Sequence, residues 1–243
     1  WSTNTNGVGG SQPTNFTTVY QVFVIRNTTA VSTTDVSWNV AGTGSVIQVG
    51  DPAVPGVALT IASGLDISTS AVDPVVGNGT IDIPAASSGV NSVIFQSAVT
   101  PPAMGIMDAN SEVHYQATMT TATSKTFGKM FIENNSTVTF DGKPIVQTSL
   151  NVATGSTISF SNNTGDYITI NNTATVVIDG SIKSAKAVGI FSYGVTTPGA
   201  TFGNIQFLNA VGALTLGSSS TVEYNRTDST TAQQISTLPP GVK

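Results

Sequence analysis

The sequence predicts an all-β chain wound as a parallel β-helix, or β-solenoid, and three observations carry that expectation. First, one strand pattern is rewritten along the chain: Ser136-Thr137-Val138-Thr139-Phe140 returns twenty residues later as Ser156-Thr157-Ile158-Ser159-Phe160. It recurs as Ala174–Ile178 and Ser220–Tyr224, and an earlier copy is Ser111–Tyr115. Each copy alternates large apolar residues with mostly polar ones, the period-two signature of a short, half-buried strand. Second, recurrence near one spacing marks a repeat whose units bury their apolar faces by stacking on neighbours. Third, the candidate strands are short and their corners are rich in Gly and Asn. No stretch shows a helical period over ten residues. Strand spacings of eight to twelve also suit an antiparallel β-sandwich or jelly roll, which is the alternative architecture.

Taken in order, residues 1–18 are Ser/Thr/Asn/Gly-rich without apolar periodicity and read as a flexible arm. Val19, Tyr20, Val22, Phe23, Val24 and Ile25 then form a strand apolar on both faces, as expected of one buried on both sides. Arg26-Asn27 and the following Thr/Ser run read as a loop. In the β-rich first part, residues 19–110, strands are expected at Ser45–Val49, Val57–Ile61, Thr80–Ile83 and Asn91–Phe95. Gly50-Asp51-Pro52, Pro55-Gly56 and Asn78-Gly79 between them supply turn chemistry. Pro101-Pro102 marks a candidate seam.

Residues 111–243 carry the denser repeats. Strands are expected at Phe127–Ile132, Val138–Phe140, Ile145–Val152, Ile158–Phe160, Tyr167–Ile170, Thr175–Ile178, Val188–Tyr193, Asn204–Leu208, Ala213–Leu216 and Thr221–Tyr224. A longer echo links Thr126-Phe127-Gly128-Lys129-Met130 to Thr201-Phe202-Gly203-Asn204-Ile205, and Ser111–Thr118 to Ser220–Thr227. Its second copy ends sixteen residues before Lys243, so a repeat cut off partway, within a longer protein, is the expectation. The start at Trp1 reads likewise as a processed or excised segment. The predicted core is Val138, Phe140, Ile158, Phe160, Val176, Ile178, Val222 and Tyr224.

Composition narrows function. Charged residues are only 9% of the chain, against about 25% in typical domains. Apolar residues reach 39%, enough for a core. A net charge of −5 argues against a nucleic-acid partner, which requires a concentrated basic face. Lys125/Lys129 and Lys183/Lys186 read as solvated strand ends. There is no cysteine, hence no disulfide, thiol nucleophile or thiolate metal site. No run of eighteen apolar residues offers a membrane span.

The strings Trp38–Ser45, Val49-Gly50-Asp51, Leu59–Gly64, Thr126-Phe127-Gly128, Ser149–Thr157 and Thr221–Asn225 together resemble the β-solenoid repeat regions of large secreted, adhesin-like surface proteins of Bacteroidetes. That resemblance spans roughly residues 38 to 235. It implies a β-solenoid fold, an extracellular or cell-surface location, and adhesion or surface coating. It transfers no catalytic residue.

Candidate chemistry is sparse. His114 is the only histidine, and alternation places it with Glu112 on the outward face, without a second His or any Cys to complete a ligand set. The acidic residues stand singly, mostly beside Gly or Pro, as at Asp51-Pro52 and Asp141-Gly142. No nucleophile elbow or phosphate loop occurs. No catalytic, cofactor or metal residues are therefore assigned, and the one ion the turns would suit is structural calcium. Glycosylation acceptors of the Asn-x-Ser/Thr type stand at Asn15, Asn27, Asn78, Asn134, Asn135, Asn162, Asn171 and Asn225.

The expected function is thus a non-enzymatic extracellular structural protein, a segment of an adhesin, sheath or self-assembling filament. Its expected partners are copies of itself, through the strand at Val19–Ile25, and surface polysaccharide. The alternative is a carbohydrate-binding adhesin module, which Trp38, Tyr115, Tyr167 or Tyr193 clustered on one exposed face would favour. A polysaccharide-active β-helix enzyme would need two carboxylates in a groove. Thr137, Thr139 and Thr157 sketch an irregular threonine array of the ice-binding kind.

Overall fold

Short strands of four residues dominate the computed structural model, and no helix occurs among the described residues. The structure describes residues 80–85, 90–96, 104–121, 124–160, 165–209 and 213–225, together with six short strands before residue 67. The first nine strands are β1 (Val22–Ile25), β2 (Thr29–Ser32), β3 (Val36–Ser37), β4 (Val46–Val49), β5 (Ala58–Ile61), β6 (Leu65–Asp66), β7 (Thr80–Ile83), β8 (Ser92–Phe95) and β9 (Met104–Met107). The next seven are β10 (Glu112–Tyr115), β11 (Met119–Thr121), β12 (Thr126–Ile132), β13 (Thr137–Phe140), β14 (Ile145–Val152), β15 (Thr157–Phe160) and β16 (Ile168–Ile170). The last six are β17 (Thr175–Ile178), β18 (Ser181–Ser184), β19 (Phe191–Ser192), β20 (Ile205–Phe207), β21 (Ala213–Leu216) and β22 (Thr221–Tyr224).

The strands pair with non-consecutive neighbours. One sheet runs β1-β4-β7-β9, and another runs β11-β13-β15-β18-β22. The largest runs β19-β20-β16-β14-β12-β10-β8-β5-β2, with β17 and β21 branching from β14. Strands β3 and β6 form a small fourth sheet. Every described pairing is parallel, from β1 against β4 to β18 against β22. The antiparallel sandwich or jelly roll is therefore overturned, since those folds pair neighbouring strands head to tail. Pairing of β8 with β10 also carries the largest sheet past Pro101-Pro102.

Register explains the core. Val113, Met130, Leu150, Val176 and Leu214 lie opposite one another in successive strands, and all are buried. Met119, Val138, Ile158 and Ile182 make a second buried column, and Val222 continues it half-buried. Because the side-chain period is two, one register sets the inward face of the whole column. Thr137, Thr139, Thr157 and Ser159 accordingly lie on the other, half-buried face.

The small residue that opens each repeat closes a turn. Ser111, Ser136, Ser156, Ala174 and Ser220 each donate their backbone N–H to the carbonyl three residues earlier, at 2.9–3.1 Å. A side chain that small fits the corner while the next residue enters the ladder. Two turns need a left-handed backbone. Asn134 and Asn135 sit at φ 56 and Gly155 at φ 80, and a Cβ on Gly155 would lie 2.0 Å from Asn135 Oδ1. Gly128 marks another constraint: a Cβ there would lie 2.3 Å from the Asp108 carbonyl, at the register shift where β12 changes neighbours.

Three expectations change. Of the predicted strand Val19–Ile25 the described part is β1 (Val22–Ile25), and it is the first strand of the β1-β4-β7-β9 ladder, so it belongs to the stacked strands. Ile25 is buried while Val24 is half-buried. Val19, Tyr20 and the arm 1–18 lie outside the described residues. The Thr/Ser run after Asn27 contains β2, which pairs in register with β5, so it is not a simple loop. Finally, Val222 and Tyr224 are half-buried where burial was expected. Among the described residues their strand has a single neighbour, β18, which accounts for the partial burial.

Candidate functional site

The outward face of β10 and β12 gathers the chain's only histidine with charged partners. Parallel register sets Glu112 opposite Lys129 and His114 opposite Phe131. Alternation then points Glu112 and His114 outward while Val113 and Tyr115 enter the core. His114 Nε2 lies 3.2 Å from Glu112 Oε2, and Nδ1 lies 3.3 Å from Glu133 Oε2. Lys129 Nζ donates to Glu112 Oε1 at 3.0 Å, Gln116 Nε2 donates to Glu133 Oε2 at 3.0 Å, and Gln96 Nε2 donates to Gln116 Oε1 at 2.9 Å. The imidazole also stacks on Phe131, with ring centres 4.5 Å apart and planes 5° from parallel.

This arrangement joins three successive strands side chain to side chain. Both ring nitrogens are engaged: neutral imidazole donates to one carboxylate, imidazolium to both. General acid–base work requires a ring nitrogen within reach of a substrate proton. Here the two carboxylates flank one ring, which fills the space between them. The geometry is that of a clasp. Glu133 is the member that reading the sequence missed; it follows His114 by nineteen residues, close to the twenty-residue recurrence.

Beside the clasp lies a pocket of about 260 Å³, lined by Val90, Asn91, Asp108, Asn110, Ser111 and Lys129 among others. Much of its polar lining is already committed. Asp108 Oδ1 accepts the Asn110 N–H at 2.9 Å, Ser111 Oγ donates to the Asp108 carbonyl at 2.7 Å, and Asn91 Nδ2 donates to the Pro84 carbonyl at 2.8 Å. Among the described residues no cluster of three His, Cys, Asp or Glu side chains is arranged to hold a metal ion.

The aromatic residues that would form a carbohydrate platform do not share an exposed face. Tyr115 is fully buried between Phe95 and Phe140, and burial pushes its phenol pKa upward. Tyr193 is half-buried and stacked on Phe207 at 4.8 Å, with burial again raising its pKa. Tyr167 is half-buried, with Lys143 and Lys186 each 5.8 Å from its ring centre. Trp38 lies outside the described residues. The threonine array is also short: Thr137–Thr157 runs on through Ser181 to Thr221, but Thr139–Ser159 continues into Lys183 and Glu223, which form an ion pair at 3.0 Å.

Of the glycosylation acceptors, Asn134, Asn135 and Asn225 are exposed and Asn171 is half-buried; Asn15, Asn27, Asn78 and Asn162 lie outside the described residues. One cation departs from expectation. Lys183 is solvated, but Lys186 is buried, at 6% exposure, with its ammonium over the Tyr167 ring. No protein-family model, curated protein or solved structure matches this chain.

Proposed function

We propose that the chain is a segment of a parallel β-solenoid serving as a non-enzymatic structural element of an extracellular surface protein: an adhesin, sheath or filament. One observation carries this reading. Parallel ladders of short strands recur from Val22 to Tyr224, with strand order advancing regularly through β1-β4-β7-β9 and β11-β13-β15-β18-β22. Stacked repeats of that kind bury a continuous core and extend along one axis. The half-buried outward positions of β13 and β15 are Thr and Ser, which keeps a flat face wet with little charge. β21 and β22 each pair with one described neighbour, leaving strand edges of the type that accept a further strand.

The experiment is negative-stain microscopy with sedimentation of the purified chain. Elongated particles that lengthen with concentration support a self-assembling solenoid; compact particles of fixed size oppose it. Deleting residues 1–25 tests whether the strand at Val22–Ile25 is the joining element: undiminished assembly removes it from that role.

The pocket at Asn91, Asp108 and Asn110 favours a second reading, a module that binds surface polysaccharide. Its volume suits a single sugar unit, and its lining mixes amide, carboxylate and hydroxyl groups with a small apolar wall. A glycan array separates the readings: selective binding abolished by Asp108→Ala supports the second, and no binding to any glycan opposes it.

A further inference from the structure

We propose that residues 190–195 are an internal plug. They occupy the sheet edge that β1 of a second copy would fill, so end-to-end assembly waits on their displacement; this rests on the self-assembly proposed above. One face of the stack can be followed strand by strand. β1-β4-β7-β9 leads to β12, against which β9 lies. Thr126-Phe127 of β12 pair with Ile145-Val146 of β14, those with Thr169-Ile170 of β16, and β16 with β20. Each step sets a later strand beyond an earlier one. Among the described strands β19 alone reverses that rule: it precedes β20 in the chain yet lies on the far edge of β20, Phe191 opposite Ile205 and Ser192 opposite Gln206. β21 and β22 pair back with β17 and β18, so β20, β21 and β22 form the last described layer and β19 stands one layer beyond it.

The backbone groups along that edge are taken. Ile205 N–H donates to the Ile190 carbonyl at 2.7 Å, and the Phe207 and Asn209 carbonyls accept from Val195 and Gly194 at 3.0 and 3.1 Å. A parallel strand arriving from outside finds no ladder on β20 until residues 190–195 leave. At the opposite end of the same face stands β1, which pairs in parallel with β4 and with no other described strand. Two copies stacked head to tail keep the polarity of the face by setting β1 of one beyond β20 of the other, a contact that repeats without closing. The same stacking brings β2 over β21, each of which has one described ladder partner.

The plug is lightly held. Its ladder with β20 is two residues long and lies between Gly189 at φ 89 and Gly194 at φ 64, where the backbone turns away. Lys186 Nζ and Tyr193 Oη are buried without a hydrogen-bond partner among the described residues, a cost that water relieves once the segment lifts. Against release stand the buried side chains of Ile190, Phe191 and Val195, and Ser192 Oγ accepting the Gly203 N–H at 2.9 Å. The four residues Val-Phe-Val-Ile of β1 offer an apolar replacement with a ladder twice as long.

The test follows oligomer formation by sedimentation in the full chain and two variants. Val195→Pro deletes the N–H that holds the Phe207 carbonyl and loosens the plug. Ser192→Cys with Gln206→Cys ties the plug to β20 through a disulfide between register partners, and the reduced form is its own control. Val195→Pro, with far-UV circular dichroism unchanged, should assemble roughly tenfold faster than the parent, the scale of one lost hydrogen bond. The oxidised pair should not assemble, reduction should restore assembly, and deleting residues 1–25 from Val195→Pro should abolish it. Equal rates in the parent, Val195→Pro and the oxidised pair would leave self-assembly standing and overturn the plug. No oligomers from any of them, with the Ile205 amide of Val195→Pro exchanging freely, would overturn self-assembly and the plug with it. Fast assembly without residues 1–25 would overturn β1 as the incoming strand. Should Val195→Pro unfold, the disulfide pair decides alone, and equal rates in its oxidised and reduced forms overturn the plug.

Discussion

The stretch from β12 to β15 and the stretch from β18 to β22 use the same strand pattern and pack it differently. In the first, Val138, Phe140, Ile158 and Phe160 are all buried at 5% exposure or less, between neighbours on both edges. In the second, Val222 and Tyr224 repeat the pattern and stay half-buried on a strand with one described neighbour. The stretches also differ inside. The first core is apolar apart from the corner residues Ser136 and Ser156, with Phe140 6.3 Å from Tyr115 and 6.2 Å from Phe160, whereas the second contains Ser184, Asn204 and Gln206. The insertion between β18 and β20 accounts for that. Its backbone needs hydrogen-bond partners, and Gln206 supplies them by accepting from Gly199 N at 2.9 Å and donating to the carbonyls of Gly199 and Gly203. A strand pattern therefore specifies which face turns inward, while neighbours on both edges determine how far it is buried.

The largest effect that sharpens this contrast is at the paired phenylalanine and tyrosine. Phe140→Ala should cost roughly 3–5 kcal/mol, as for other buried Phe. Tyr224→Ala, at the matching inward position of the edge strand, should cost about 1 kcal/mol, because half the burial is absent to begin with. Urea midpoints would read both, and equal losses would erase the distinction.

Next in size is the corner. Gly155→Ala forces a side chain into a left-handed backbone and onto Asn135 Oδ1, and should cost about 1–3 kcal/mol. Adding Asn135→Gly, which removes the amide without straining the left-handed backbone at φ 56, should recover the steric part and leave the backbone part. Gly199→Ala in the insertion meets nothing nearer than 3.9 Å and should shift stability by no more than about 0.5 kcal/mol. Calorimetry on the four proteins gives the answer, and a Gly199 variant as damaged as the Gly155 one would refute the account of the corner.

Smallest are the outward ion pairs. His114→Ala, whose pairs are part-buried, should lower stability by about 1 kcal/mol, and Lys183→Ala by about 0.5 kcal/mol or less, since its pair with Glu223 is exposed and screened. Thermal melts in low and high salt would show it. A His114 variant that abolished glycan binding with its melt unchanged would make the clasp a working site.

Much of this fold was legible because its inward positions are apolar. Thr80–Ile83, Ile145–Val152, Thr175–Ile178, Ala213–Leu216 and Thr221–Tyr224 were read to the residue. Two of the strands that escaped carry weaker patterns, although Met104–Met107, also unread, is apolar. Ser181–Ser184 turns Ile182 and Ser184 inward, and Met119–Thr121 turns Met119 and Thr121 inward, so each offers one apolar inward residue and no detectable period. Val188–Tyr193 erred in the opposite direction: apolar composition promised a strand, but Gly189 and Gly194 at positive φ confine it to Phe191–Ser192. The long echo was half right. Gly128 and Gly203 are both pressed against backbone, yet Phe127 is buried and Phe202 is 37% exposed. In the clasp, the Glu112–His114 pair followed from alternation within one strand. Glu133 depended on the number of residues between paired parallel strands, and the burial of Lys186 depended on where the chain between β18 and β20 folds back; a local pattern encodes neither.

The central claim is that the repeated pattern stacks in parallel register, with Thr137–Phe140 directly against Thr157–Phe160. Because the chain has no cysteine, paired cysteines report on this without background. Thr139→Cys with Ser159→Cys joins two outward residues paired across adjacent strands, within the Cα separation a disulfide tolerates. Thr137→Cys with Ser159→Cys joins positions that would face each other in an antiparallel pairing that set Val138 against Ile158. Mild oxidation followed by non-reducing peptide mapping should show a bridge within the chain for the 139/159 pair and none for the 137/159 pair; the reverse pattern would contradict the parallel stack.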